Sequence, residues 1–304
     1  RERQRAEINP LQYGTIVHYI LERFFGEYTK EESLSLEEDK FQKIVCAYLA
    51  EYAVKYFGEE QLESNSFTYR LKTILDNVMY LMKHIMEELS QSEFFVADCE
   101  LKIGEDIPSY TIVLPDGHKI AVCGSVDRVD IMQRADITYL RIIDYKTGTK
   151  QFKLSDILYG INLQMLLYLH SIEASGGDKY GDIVPAGILY MPATVPYISS
   201  DSLKSIDKLP DELNKKLKMN GLLLKDTEII HGMDKTDAAT YIPVKIKAGE
   251  PVSSTSLATL AEFGKIFKKV DMLIAEMGKN IYNGNIEAKP LKGGHDSCEY
   301  CPYD

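Results

Sequence analysis

Two stretches decide how this chain is read: Gly124-Ser-Val-Asp-Arg-Val-Asp130 and, after a short polar break, Tyr139-Leu-Arg-Ile-Ile143 running into Asp144-Tyr-Lys146. Both read as strands. Asp144 and Lys146 are two residues apart, so a strand sends both side chains to the same face. The run before them is apolar, and charged groups at its end cost desolvation unless they serve a site. Asp127 follows Gly124, which permits close approach by backbone or ligand. The expectation is two carboxylates and a lysine at the ends of adjacent strands.

Carboxylates supply the hard oxygen ligands that Mg²⁺ prefers. Without a cation, two nearby carboxylates repel and their pKa values rise. A lysine beside such an ion is placed to meet an attacking water and a scissile phosphate. Asp127, Asp144 and Lys146 therefore point to metal-dependent phosphodiester hydrolysis. Glu100, at the end of Phe95-Val-Ala-Asp-Cys-Glu100, is a candidate for a further acidic group.

Working outward, residues 9–28 read as a helix, with Leu11, Ile16, Val17, Ile20, Leu21, Phe24 and Phe25 at helical spacing and Pro10 in the first turn. His18 and Glu22 share one face of it. An imidazole added to two carboxylates suits Mg²⁺ or Mn²⁺ and shifts preference toward Mn²⁺. Further helices are expected over 36–57 and 67–89. Then the period changes. A strand is expected over 94–103. A hairpin follows, 110–114 and 119–123 around Pro115-Asp-Gly117, its second run continuing through Val129 to Ile131. Next come a helix over 154–171, a strand over 186–190 and a long helix near 256–282. Gln164 and Tyr168, four apart on the 154–171 helix, would offer neutral hydrogen bonds to a phosphate ligand or steady Lys146.

The fold class expected is α/β: a mixed β-sheet flanked by helices. The organisation is one domain, with a helical region over 10–91, an α/β catalytic core over 92–192, an insertion over 193–255, a C-terminal helix over 256–283 and a cysteine-bearing tail over 284–304.

Composition narrows the class. The chain has 304 residues, 45% hydrophobic and 27% charged, with a formal charge of −11. No apolar run approaches the roughly 20 residues that span a bilayer, and no stretch reads as a signal peptide. A cytoplasmic protein without membrane contact is expected. The acidic balance argues against a chain that grips duplex DNA over its whole surface. It is compatible with a site fed by another domain or subunit. The five cysteines form no disulfide framework. Absence of an initial Met and the abrupt stop at Asp304 suggest a piece of something longer.

Four motifs occur in order: Gly14-Thr-x-x-His18, Gly124-x-x-Asp127-Arg128-x-Asp130, Asp144-Tyr-Lys146-Thr-Gly148 and Gln164-x-x-x-Tyr168. Together they resemble the RecB-like nuclease family of the PD-(D/E)xK superfamily, with its restriction-endonuclease-like core. The resemblance implies that His18, Asp127, Asp144 and the carbonyl of Tyr145 hold the metal and that Lys146 assists attack by water. The tail adds Cys298-Glu-Tyr-Cys301-Pro302. Cysteines at this spacing suit zinc, a redox pair or, by resemblance, two of the four thiolates of a 4Fe–4S cluster. The remaining two would lie past Asp304 and before Arg1. The cysteines and the long insertion resemble most the nuclease domains of AddB (RexB-type) subunits. That implies an AddA-type helicase/nuclease partner, a single-stranded DNA end as substrate and work in double-strand break resection. Alternatives are a stand-alone RecB-like iron–sulfur exonuclease of the CRISPR-adaptation type, or a catalytically silent DNA-binding scaffold.

Overall fold

Strands β4 (Gly124–Arg134) and β5 (Ile137–Lys146) form an antiparallel hairpin at the heart of the protein, in register from Arg134↔Ile137 to Arg128↔Ile143. The computed structural model describes residues 9–148, 152–195, 209–253, 255–285 and 287. Ahead of the hairpin come α1 (Pro10–Glu27), α2 (Lys30–Leu34), α3 (Glu38–Phe57), α4 (Glu59–Leu62), α5 (Asn65–Ser90), β1 (Phe95–Ile103), β2 (Tyr110–Val113) and β3 (Lys119–Val122). After it come α6 (Gln164–Ser175), α7 (Gly177–Tyr180), β6 (Asp182–Pro192), α8 (Leu209–Leu217), β7 (Asn220–Leu224), α9 (Thr227–Met233), β8 (Lys245–Lys247), β9 (Glu250–Val252), β10 (Leu257–Ala258) and α10 (Leu260–Tyr282).

The central sheet has the order β1-β4-β5-β6-β7-β10. β5 and β6 are parallel, as are β7 and β10; the other neighbours are antiparallel. Parallel strands need a crossover, and α6 supplies it between β5 and β6. This is the mixed, helix-flanked α/β sheet expected. β2 with β3 and β8 with β9 make two small separate ladders. Among the described residues no helix is long and apolar enough to cross a membrane.

Helix α1 is fixed firmly at its start. Asn9 and Gln12 form a reciprocal capping box, and Pro10 stands in the first turn. Ile16, Val17, Ile20, Leu21 and Phe24 are buried. Each such burial contributes about 1.5–3 kcal/mol. They flank His18 on both sides along the chain, so its backbone is anchored by core packing.

Four differences from the sequence reading have physical causes. A separate helix, α2, precedes α3, because Thr29 and Glu32 make a second capping box. The run from Lys119 to Ile131 is broken at Cys123, so β3 pairs only with β2 while β4 enters the central sheet. The single helix expected over 154–171 is a 3₁₀ turn, Leu154–Tyr159, followed by α6. Gly160 and Asn162 take left-handed backbone between them, at φ +71° and +57°. The Asn162 amide donates to Asp156, holding that break. Finally, the stretch read as an insertion contributes β7, a strand of the central sheet beside β6. Its Leu222, Leu223 and Leu224 are buried, and a short run that is apolar on both faces carries no periodic signal.

Candidate active site

Registers bring three carboxylates into one row. Cys99 pairs with Arg128 and Leu101 with Val126, so Glu100 lies opposite Asp127. Arg128 pairs with Ile143, which aligns Asp127 with Asp144 one step further. Asp144 in turn pairs with Tyr190 of β6. Like charges placed directly across strands are destabilising, so this row needs a compensating charge.

Helix α1 reaches two consecutive residues of β4 at the same place. A regular strand sends consecutive side chains to opposite faces. Here Asp127 approaches His18 of α1, and Arg128 holds its guanidinium 5.7 Å from the ring of Phe25, also on α1. The residue facing Asp127, Glu100, has φ +52°. A non-glycine residue in that region stores strain of order 1–3 kcal/mol, which concentrates at working sites.

His18 joins the row from above. Its Nδ1 donates to Glu100 Oε1 at 2.9 Å, and its Nε2 stands 3.6 Å from Asp127 Oδ2. Ser125 Oγ donates to the other oxygen of Glu100 at 2.9 Å. The Tyr145 backbone N–H donates to Asp127 Oδ2 at 2.9 Å. One ligand atom each from His18, Glu100 and Asp127 lie within 4.8 Å of one another. Asp144 is 7% exposed, and its Oδ2 lies 2.6 Å from Lys146 Nζ without the alignment of a hydrogen bond. The Lys146 ammonium is thus the countercharge that this buried carboxylate oxygen meets. Lys146 also lies 6.0 Å from the ring centroid of Tyr190.

The protonation pattern matches a site short of positive charge. Burial pushes the Asp127 carboxyl up to about 6, and Asp144 and Glu100 add to the rise against the opposing pull of His18. Sequence alone points to repulsion between carboxylates as the cause; burial is the larger one. Burial would lower the His18 pKa, but the hydrogen bond to Glu100 and the charges of Asp127, Glu100 and Asp144 outweigh it and raise it. Glu100 is held below its usual range by its hydrogen bond from His18, which outweighs burial.

The row opens into a cleft of about 640 Å³, lined by His18, Glu100, Ser125, Tyr145 and Lys146 and walled by residues of α1 and α3. Glu22 lines the cleft too, but the partner of His18 is Glu100.

Gln164 and Tyr168 are brought to each other, the Gln164 amide donating to the Tyr168 hydroxyl at 3.3 Å. Tyr168 then packs on Gly124. A Cβ there would stand 2.2 Å from the hydroxyl oxygen and 2.6 Å from the ring carbon bearing it. Gly124 is thus required by a tyrosine of α6. Cys298 and Cys301 lie outside the described residues.

Sequence reading did not single out Ser125, Arg141, Tyr190 or the α3 tyrosines Tyr52 and Tyr56. Ser125 sits inside the quoted motif and was legible there. Arg141 interrupts the apolar run of β5, a signal that a buried counter-charge exists. It meets Glu88 of α5 and Asp130, both fully buried, with Arg128 completing the group.

Comparisons with known proteins place the chain in a family. A family model described as the PD-(D/E)XK nuclease superfamily matches residues 1–304. Among curated proteins, the B subunit of the ATP-dependent helicase/deoxyribonuclease of Thermoanaerobacter sp. (strain X514) is 34% identical over 314 residues, covering all of this chain and 27% of that protein. Proteins of the same name from Acetivibrio thermocellus and Alkaliphilus oremlandii are 33% and 32% identical, again over the whole chain and 27% of each relative. The chain thus spans about a quarter of the length of these relatives.

Proposed function

Since this chain belongs to the PD-(D/E)XK nuclease superfamily, we propose that it is a divalent-metal-dependent deoxyribonuclease domain that hydrolyses single-stranded DNA. The observation that carries this reading is the meeting of His18, Glu100 and Asp127 within 4.8 Å, with Asp144 and Lys146 on the adjoining strand.

The donor set fits a hard divalent cation. It offers carboxylate oxygens of Asp127, Asp144 and Glu100 and one imidazole nitrogen. His18, Asp127, Asp144 and the carbonyl of Tyr145 would hold Mg²⁺ or Mn²⁺. With Nδ1–H given to Glu100, the Nε2 lone pair is free for the metal, the usual carboxylate–histidine arrangement. Glu100 is then the residue that orients His18, with Ser125 steadying it. When bound, the ion polarises the scissile phosphate and makes water more acidic. Lys146, held near Asp144 and over Tyr190, places a cation where negative charge gathers on the phosphoryl oxygens and the attacking water must be aligned. The Tyr145 N–H orients the Asp127 carboxylate.

The relatives carry the name of a helicase/deoxyribonuclease B subunit. On that likeness we propose that this domain works beside an AddA-type helicase subunit, which delivers a single-stranded end during break resection. The −11 charge agrees with delivery by a motor. Cys298 and Cys301 are proposed as two thiolates of a 4Fe–4S cluster, on their CxxC spacing and the resemblance alone. In a protein of the relatives' full length, brown colour with iron and sulfide supports this, and a colourless zinc protein overturns it.

The test of the site is cleavage of labelled single-stranded DNA with Mg²⁺, with EDTA, and by Lys146→Ala. EDTA abolishes cutting, and the substitution slows it at least about 100-fold, or roughly 2.7 kcal/mol of barrier. Equal cutting by wild type and variant removes Lys146 from the mechanism.

A further inference from the structure

The wall of the cleft opposite the carboxylates is aromatic. Tyr19 of α1 and Tyr52 and Tyr56 of α3 line the same cavity as His18 and Lys146. Their rings form a continuous ladder. Tyr19 meets Tyr52 edge-on at 5.2 Å, and Tyr52 meets Tyr56 at 4.4 Å with the planes tilted by 35°. Tyr52 is 5% exposed and belongs to the core, whereas Tyr56 is 56% exposed. Tyr56 rests one side of its ring on buried Tyr52 and leaves the rest open to solvent in the cleft.

Lys55 holds its ammonium 5.1 Å from the Tyr56 ring and 5.9 Å from the Tyr19 ring. At an exposed position such a contact is worth about 0.5–1 kcal/mol. A nucleobase stacked on an aromatic side chain is worth about 1–3 kcal/mol. A base therefore displaces the ammonium and leaves it free to meet the neighbouring phosphate.

We propose that Tyr19, Tyr52 and Tyr56 form a nucleobase-stacking platform that seats single-stranded nucleic acid beside the catalytic row, with Lys55 as its phosphate contact. The strand's destination rests on the nuclease reading above; the platform itself rests only on the rings and the cleft. Stacking suits an acidic protein, because it holds a strand through its bases rather than its charge. Glu22 lines the cleft, Glu51 accepts a hydrogen bond from the Tyr19 hydroxyl, and Arg23 answers Glu51 at 3.7 Å. Interior bases of duplex DNA are covered on both faces and only a terminal pair has an open one, so the platform favours single strands.

The test is binding, in EDTA, of a short oligodeoxythymidine carrying one 2-aminopurine. Wild type and Tyr56→Phe bind with quenching of the 2-aminopurine fluorescence. Tyr56→Ala weakens binding about 5- to 100-fold and removes the quench, and Tyr56→Leu, which keeps apolar bulk, also loses the quench. Tyr69→Ala, a 73% exposed tyrosine of α5, leaves both unchanged. Unaltered affinity and quench in Tyr56→Ala overturn the platform. Equal competition by a duplex of the same length overturns its preference for single strands. Cleavage of the same oligonucleotide with Mg²⁺ is scored separately. A wild type that binds with quench but cuts nothing defeats the nuclease reading and leaves the platform standing.

Discussion

Strands β4 and β5 carry two acidic clusters, and the adjacent residues Asp127 and Arg128 belong to different ones. In the first, Asp130 and Glu88 meet Arg128 and Arg141, and all four side chains are 0% exposed. Arg128 binds Asp130 in a fork, with Nε at 2.6 Å and Nη2 at 2.7 Å, and Arg141 adds Nε at 3.0 Å and Nη2 at 2.9 Å. Two carboxylates face two guanidiniums. Burial works to raise the Asp130 pKa, yet the two arginines hold it below the usual carboxylate range. In the second, Glu100, Asp127 and Asp144 share Lys146 and an imidazole. Here Asp127 is pushed up to about 6. Burial alone does not mark a working site; uncompensated charge does. The balanced cluster ties α5 to the sheet, and the unbalanced one is where we propose that a divalent cation binds.

The largest expected effect comes from unbalancing the balanced cluster. Asp130→Asn leaves two buried guanidiniums facing one carboxylate. Breaking a buried pair this way costs about 3–5 kcal/mol, read as a fall in the urea midpoint at unchanged slope. A loss below about 1 kcal/mol would mean that the cluster contributes little to the fold.

The opposite sign is expected in the open row. Asp127→Asn keeps an oxygen to accept from the Tyr145 N–H but removes a charge that the metal-free fold resists. Its folded pKa, about 6, lies above the ordinary 3.8. A raised carboxyl stabilises the fold below about pH 4 and loses that contribution as pH climbs through 6. At pH 7 in EDTA the wild type therefore carries a penalty of about 3 kcal/mol that Asp127→Asn relieves. The variant is inactive and more stable, and its advantage shrinks as pH falls from about 7 to about 4. A destabilised variant would mean that the site is balanced without a metal.

Glu100 sits between the two behaviours, because it is acidic yet fully hydrogen-bonded. Glu100→Gln weakens its hold on the His18 tautomer. Loss of such a supporting carboxylate costs about 10-fold or more in metal affinity, measured by titration calorimetry with Mn²⁺. Since His18 and Asp127 both have raised pKa values, protons compete with the ion, and affinity climbs as pH rises through about 6, where Asp127 ionises.

How much of this was legible in the sequence depends on distance along the chain. Asp144 and Lys146 were legible because two residues on one strand share a face by geometry alone. Asp127 and His18 were legible through their ordered motifs. Arg128 and Asp130 stand in a motif, but their meaning was hidden, since it depends on Glu88, which lies 40 residues before Arg128. The positive φ of Glu100 has no marker in a residue type that rarely adopts it. β7 was invisible because it is buried on both faces. The tyrosines of α3 looked like ordinary helix positions, although Tyr52 and Tyr56 at i and i+4 were the signal that two rings could stack.

Salt gives the smallest and most discriminating test of the two clusters. The balanced cluster is closed to solvent, so mobile ions do not reach it. The open row is partly exposed, with side chains of His18 and Lys146 at 28% and Glu100 at 27%. Raising NaCl shrinks the screening length from about 10 Å at 0.1 M to about 3 Å at 1 M. Repulsion among Glu100, Asp127 and Asp144 is then softened in the metal-free protein, worth a few tenths of a kcal/mol, within the range of exposed charge pairs. Salt also acts on the rest of the surface, so the quantity to read is a difference of differences. The stability gain of wild type on going to about 1 M NaCl in EDTA should exceed that of Asp127→Asn, whereas wild type and a neutral substitution remote from both clusters should gain equally. An equal gain for wild type and Asp127→Asn would show that the charge at residue 127 is already compensated within the protein, and the distinction between the two clusters would fall.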